Sequence, residues 1–124
     1  ITSLIPLLVI TTYKEYHIFN NTKSIFSIHQ NPFKEKLNKK FADKIIDEEI
    51  DKSMLTSLKS LNYNSLIKIA SEYSDVIIKP KEVMNKPMEK LLSEVSSNSK
   101  IFTVDNNDEK IVDSHFKIYN EILS

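Results

Sequence analysis

The chain has 124 residues and a formal net charge of zero from 17 basic and 17 acidic side chains, with 40% hydrophobic and 27% charged residues, which reads as one globular domain rather than a disordered tail. It contains no Cys, Gly, Trp or Arg. Without Cys there are no disulfides, thiolate zinc sites or cysteine nucleophile, and without Gly there is no P-loop, dinucleotide fingerprint or nucleophile elbow.

Lysine supplies every basic side chain other than histidine, and alanine occurs only at Ala42 and Ala70, a profile that A/T-rich codon usage would produce. Lysine is a point charge and lacks the planar fork with which arginine grips phosphate or guanine.

Residues 1–10 are apolar but half the roughly 20 needed for a membrane-spanning helix. They carry no basic leader or cleavage site, so a buried helix of a larger assembly is expected, with a truncated membrane anchor as the alternative. The missing initiator Met suggests a fragment. Thr2 or Ser3 is placed to cap this first helix, Pro6 fits its first turn, and Tyr13 and Tyr16 extend it until residues 20–23 stop it. Residues 24–28 fit either a helical turn or extended chain. Asn31-Pro32 then reads as the start of a second helix, with Phe33, Leu37, Phe41, Ile45, Ile46 and Ile50 as its apolar stripe and Lys34, Lys36, Lys39, Lys40 and Lys44 outside. Met54, Leu55, Leu58 and Leu61 continue the helical period.

Asn64 caps a helix carrying Leu66, Ile67, Ile69, Ala70 and Tyr73. Residues 76–80 are extended, because the residue before Pro80 is pushed out of the α region. Asn85-Lys86-Pro87 starts a helix with Met88, Leu91, Leu92 and Val95. The runs 101–104 and 109–112 flank four turn formers, Asp105, Asn106, Asn107 and Asp108, which predicts a β-hairpin followed by a last helix from about Ser114; the competing reading is one helix running back to Asp108.

Candidate chemistry is sparse. Asp105, Asn107 and Glu109 imitate a calcium loop, but Lys110 stands where glycine is needed and Phe116 where a bidentate Glu is needed. Asp113, Ser114 and His115 have the letters of a hydrolase triad, yet sequence neighbours on a helix point about 100° apart and cannot relay a proton. His17, His29 and His115 lack metal-ligand spacing and read as structural. Asp47, Glu48, Glu49 and Asp51 form an acidic knot best explained as a solvated face. Asn20-Asn21-Thr22 is a glycosylation sequon that matters only in a secreted protein.

From Ser65 the order is helix, extended piece, turn, helix, strand, turn, strand, with residues 87–98 as third helix and 105–108 as wing tip. This order resembles the PCI domain of scaffold subunits in the proteasome lid, the signalosome and a translation initiation factor. The residues that carry the likeness are Asn31-Pro32-Phe33, Leu37, Phe41 and Ile45-Ile46; then Tyr63, Leu66 and Ile69-Ala70; then residues 88–95, 100–105 and 110–112. The resemblance implies a mostly α (α+β) fold, short helices followed by a winged-helix-like module with one β-hairpin and a C-terminal helix. Within one continuous domain, residues 1–62 are the helical segment, 63–113 the winged-helix-like module and 114–124 a docking helix.

It also implies a non-catalytic scaffold, not an enzyme, with no cofactor, intracellular in cytoplasm or nucleus, whose partners are protein subunits of a larger assembly. Those partners would meet Phe102, Val104, Val112, Ile118, Tyr119 and Ile122 along the wing and last helix. The alternative is a nucleic-acid-binding winged helix using Lys86, Lys90, Asn98 and Lys100. Zero net charge and the acidic wing tip, Asp105 and Asp108, weigh against it.

Overall fold

The computed structural model describes residues 2–29, 32–34, 36–38, 40, 50, 62–82, 84–95, 99–105 and 108–124. Their centre is a three-stranded parallel sheet in the order β1 (Ile25–Ser27), β2 (Val76–Pro80), β3 (Lys100–Val104). Phe26 pairs with Ile77, and Ile77 with Ile101; Ile78 pairs with Ser27 on one side and Phe102 on the other. Val76, Ile77 and Ile78 are all buried, the continuous apolar run expected of a central parallel strand covered on both faces.

Four α-helices are described: α1 (Ile5–Ile10), α2 (Tyr63–Glu72), α3 (Lys86–Val95) and α4 (Asp108–Leu123). Helices α2 and α3 cover one face of the sheet, where Ile67, Met88, Leu92 and Val95 pack with Ile28 and Ile77. Helix α4 covers the other, where Ile118 packs with Val76, Ile78 and Val104, joined by half-buried Ile111 and Ile122. A third cluster lies behind α2, where Leu4 and Leu7 meet Leu66, Ile69 and Ile50. The parallel β2–α3–β3 unit needs a crossover between its strands, and α3 supplies it.

The caps follow local chemistry. Asn62, not Asn64, caps α2: its side chain accepts from the Ser65 amide (2.9 Å) while the Ser65 hydroxyl accepts from the Asn62 amide (2.9 Å), a reciprocal box. The Asn85 side chain accepts from the Met88 amide (3.0 Å) at the start of α3. Pro6 sits in the first turn of α1 as expected, but Thr2 and Ser3 do not cap it; Thr2–Leu4 forms a 3-10 turn and Leu4 holds the cap position. The helix stops at Ile10 rather than continuing through Tyr16. The Thr11 hydroxyl and amide both donate to the Leu7 carbonyl (2.8 and 3.1 Å), closing the last turn, and His17–Phe19 forms a separate 3-10 turn.

Three expectations are corrected. The winged-helix, mostly α fold gives way to an α/β sandwich around a parallel sheet. The hairpin does not form: residues 100–104 pair in parallel with β2, and 109–112 belong to α4. The reason lies in spacing, because Ile111, His115, Ile118 and Ile122 fall at helical intervals and three of them pack on the sheet. The helix expected from Asn31-Pro32 is also absent at residues 32–34 and 36–38. There Phe33 stands edge-on to the Tyr63 ring (centroids 5.8 Å apart), while Leu37 joins the cluster behind α2. At these residues tertiary contacts, not a helical stripe, place Phe33 and Leu37, while Lys40 is helical. Ile50 is buried in that cluster; Phe41, Ile45, Ile46, the acidic knot and the stripe from Met54 to Leu61 lie outside the described residues.

Candidate functional site at the carboxyl edge of the sheet

In a parallel α/β sheet, ligands are received outside the carboxyl ends of the strands, where loops converge and backbone groups are free to bind. Here β1 leads into Ile28 and His29, β2 into Lys81 and Glu82, and β3 into Asp105. The ladder holds these ends in register: the Ile28 amide donates to the Ile78 carbonyl (2.9 Å) and the Lys81 amide to the Val104 carbonyl (2.8 Å). The Tyr63 hydroxyl, on the first turn of α2, donates to the His29 carbonyl (2.6 Å) and fixes the backbone from which the exposed imidazole leaves. Burial pushes the Tyr63 phenol above its usual value, so it stays a donor.

Two depressions flank this edge. On the α4 side a crevice of about 10 Å³ is bordered by His29, Lys79, Pro80 and His115, at the lower limit for holding one water. A carbonyl can only accept, so His115 Nδ1, 2.8 Å from the Ile111 oxygen, is the donor of that hydrogen bond. On the α3 side a cleft of about 430 Å³ is bordered by Lys79, Lys81, Glu82, Glu89 and Ser93 over an apolar floor of Met84, Leu92 and Ile101. Its size suits a small ligand. Lys81 also pairs with Asp105 at 3.9 Å across the β2 and β3 ends. Among the described residues, no three His, Cys, Asp or Glu side chains gather as a metal site, and no helix is long and apolar enough to cross a membrane.

The opposite, amino edge is pinned by Asp75. Its carboxylate accepts from the Ser24 amide (2.9 Å) and hydroxyl and pairs with Lys23 (3.3 Å), tying β1 to β2. Burial acts to raise its carboxyl, but the Ser24 backbone hydrogen bond and the Lys23 contact outweigh it and hold the group below the usual carboxylate value. A depressed folded value favours folding above the unfolded value, and that contribution is lost as pH falls through the folded one. Replacing Asp75 with Asn should therefore lower urea-melt stability at pH 7 by under about 1 kcal/mol, the scale of an exposed pair. It should also flatten the decline below about pH 4; an unchanged acid limb would show that another group sets it.

The residues singled out from the sequence scatter over this frame. Val104 and Ile118 are buried between β3 and α4, and Phe102 and Ile122 are half-buried in the same layer. Val112 and Tyr119 lie exposed on α4, with Phe116 and Leu123 beside them. These six therefore do not share one surface. Lys86 and Lys90 are exposed on α3; Lys100 pairs with Glu121 and stands 4.8 Å over the Phe102 ring; Asn98 lies outside the described residues. His29, read as structural, is exposed just past the end of β1, with its carbonyl held by Tyr63. The cue was available, since Ile25–Ser27 as a half-buried parallel strand puts His29 just past its exit.

An α/β layer around a parallel sheet, with loops converging at its carboxyl edge, is not the frame of a winged helix. The sequence agrees: residues 1–93 of the 124 match the family model described as the starch synthase catalytic domain, glycosyltransferase family 5, and the chain belongs to that family. Neither a curated protein nor a solved structure gives a significant match. Membership in a catalytic-domain family overturns the PCI resemblance, and with it the non-enzymatic scaffold and its nucleic-acid alternative. Those expectations rested on apolar spacing, which a helix-covered parallel sheet satisfies equally well.

Proposed function

We propose that this chain forms part of a glucosyltransferase that extends an α-glucan from an activated glucose, with its ligands meeting the carboxyl edge of the sheet. The observation that carries the reading is the family match over residues 1–93. The arrangement of the edge supports it. Forming a glycosidic bond requires a donor whose leaving group departs as an anion, and departing charge is best met by cations and fixed donors. Lys79 and Lys81 border the larger cleft, and His29 stands at the exit of β1. In a chain without Arg or Gly, lysine ammonium groups, histidine and backbone amides are the groups left for that task. Glu82 and Glu89 on the same cleft are acceptors for sugar hydroxyls.

The test is transfer of labelled glucose from an activated donor to maltoheptaose, with donor binding followed at the Lys81 amide by NMR. The intact protein should transfer glucose, and Lys81→Ala should slow transfer by about 100-fold or more, the scale of losing one group aimed at developing charge. No transfer and no movement of the Lys81 resonances would overturn the reading, as would a Lys81→Ala variant that works at the original rate.

A further inference from the structure

Strand alternation and the turn of a helix bring two histidines, far apart in sequence, to one small crevice. Phe26 and Ile28 pack on the α2 and α3 side of the sheet, and Ile25 on the α4 side. The bond from the Ile28 amide to the Ile78 carbonyl (2.9 Å) keeps the chain extended past β1. Successive extended residues point to opposite faces, so Ser27 and His29 fall on the α4 side. From α4, His115 lies half-buried one turn before Ile118, the residue that packs on that face. Both histidines border the crevice of about 10 Å³, with Ser27, Pro80 and Ile111 around them.

The donors say what fits there. A space of that volume admits one water or one ion and no organic ligand. His115 is already oriented, because Nδ1 donates to the Ile111 carbonyl (2.8 Å) and the ring stands edge-on to Tyr119, with centroids 6.1 Å apart. In the neutral ring Nε2 then keeps its lone pair as an acceptor. A carbonyl that takes the other N–H is the arrangement that holds a metal-ligating histidine in place. On the β1 side the Tyr63 hydroxyl donates to the His29 carbonyl (2.6 Å) and fixes the backbone of the second imidazole. Lys79 also borders the crevice, but alternation along β2 turns it with Ile77 toward α3, where it borders the larger cleft. Its ammonium therefore leaves the α4 side to the imidazoles.

We propose that His29 and His115 jointly bind one divalent transition-metal ion of the zinc class, bridging the exit of β1 to α4. Imidazole nitrogens suit zinc, copper and nickel ions. No third His, Cys, Asp or Glu joins them among the described residues. Two of the four positions of a tetrahedral zinc are thus left to water or to the Ser27 hydroxyl on the same crevice. An ion held by both elements in the folded chain adds its binding free energy to stability. This binding needs neither sugar donor nor acceptor, so it stands apart from the glucosyltransferase reading.

Calorimetric titration of the intact protein with zinc sulfate tests the site and should show one ion per chain. His29→Ala and His115→Ala should each weaken binding by at least about tenfold, the scale on which groups around a metal tune affinity. His17→Ala, on the N-terminal arm, should bind as the parent does. The double variant should bind no worse than the weaker single one, since either loss breaks the chelate. NMR of the intact protein reads the same site without any variant: zinc should shift the His29 and His115 ring resonances together and leave those of His17. Zinc should also raise the melting temperature of the parent and not of His29→Ala. No zinc uptake, binding that survives either substitution, additive losses in the double variant, or shifts at only one of the two rings would each overturn the proposal.

Discussion

Replacing Ile77 with Ala should destabilise the protein by about 4 kcal/mol, within the usual range for truncating a fully buried branched side chain. Ile77 is completely buried, in the central strand, between Phe26 on β1 and Ile101 on β3, with α2 and α3 closing over it. Neighbours on both strands and two helices hold the cavity open, so the site cannot collapse to refill it. Urea melts followed by circular dichroism give the measurement. A loss below 1 kcal/mol would mean that β2 is not the centre of the sheet.

A carboxylate at Ile118 should be as damaging. Ile118 is 7% exposed where α4 meets Val76, Ile78 and Val104, whereas Val112 on the same helix is 73% exposed. Ile118→Asp removes a buried apolar group and asks the layer to bury a charge without a partner, at a cost of roughly 4 kcal/mol. Val112→Asp should stay within about 0.5 kcal/mol of the parent, as surface changes usually do. Desolvation raises the carboxyl at position 118, so Ile118→Asp should lose less stability at pH 5 than at pH 8. Chemical denaturation of the pair at both pH values settles the point. Equal losses from the two variants would contradict a continuous Asp108–Leu123 helix packed along one stripe.

Where the signal was local, the sequence alone determined the element. The helix over Leu66 to Ala70 was legible from its apolar spacing, and only its cap moved, from Asn64 to Asn62, because Ser65 completes the box with Asn62. Val76–Pro80 read as extended, with no polar residue before Lys79 to break the apolar run, and Lys86–Val95 read as a helix behind Asn85. Composition likewise determined which chemistries were unavailable, since Cys, Gly and Arg do not occur. The tertiary structure alone decided how the extended runs pair. Residues 101–104 have a pattern that serves an antiparallel wing or a parallel strand equally well, and only the buried neighbour β2 selects the second. That choice makes 108–112 the start of α4, since the far face of the sheet needs the Ile111, Ile118 and Ile122 stripe to cover it. The site was hidden for the same reason: His29, Lys81 and Asp105 are 24 or more residues apart in sequence and meet only as the exits of three parallel strands, which no local pattern encodes.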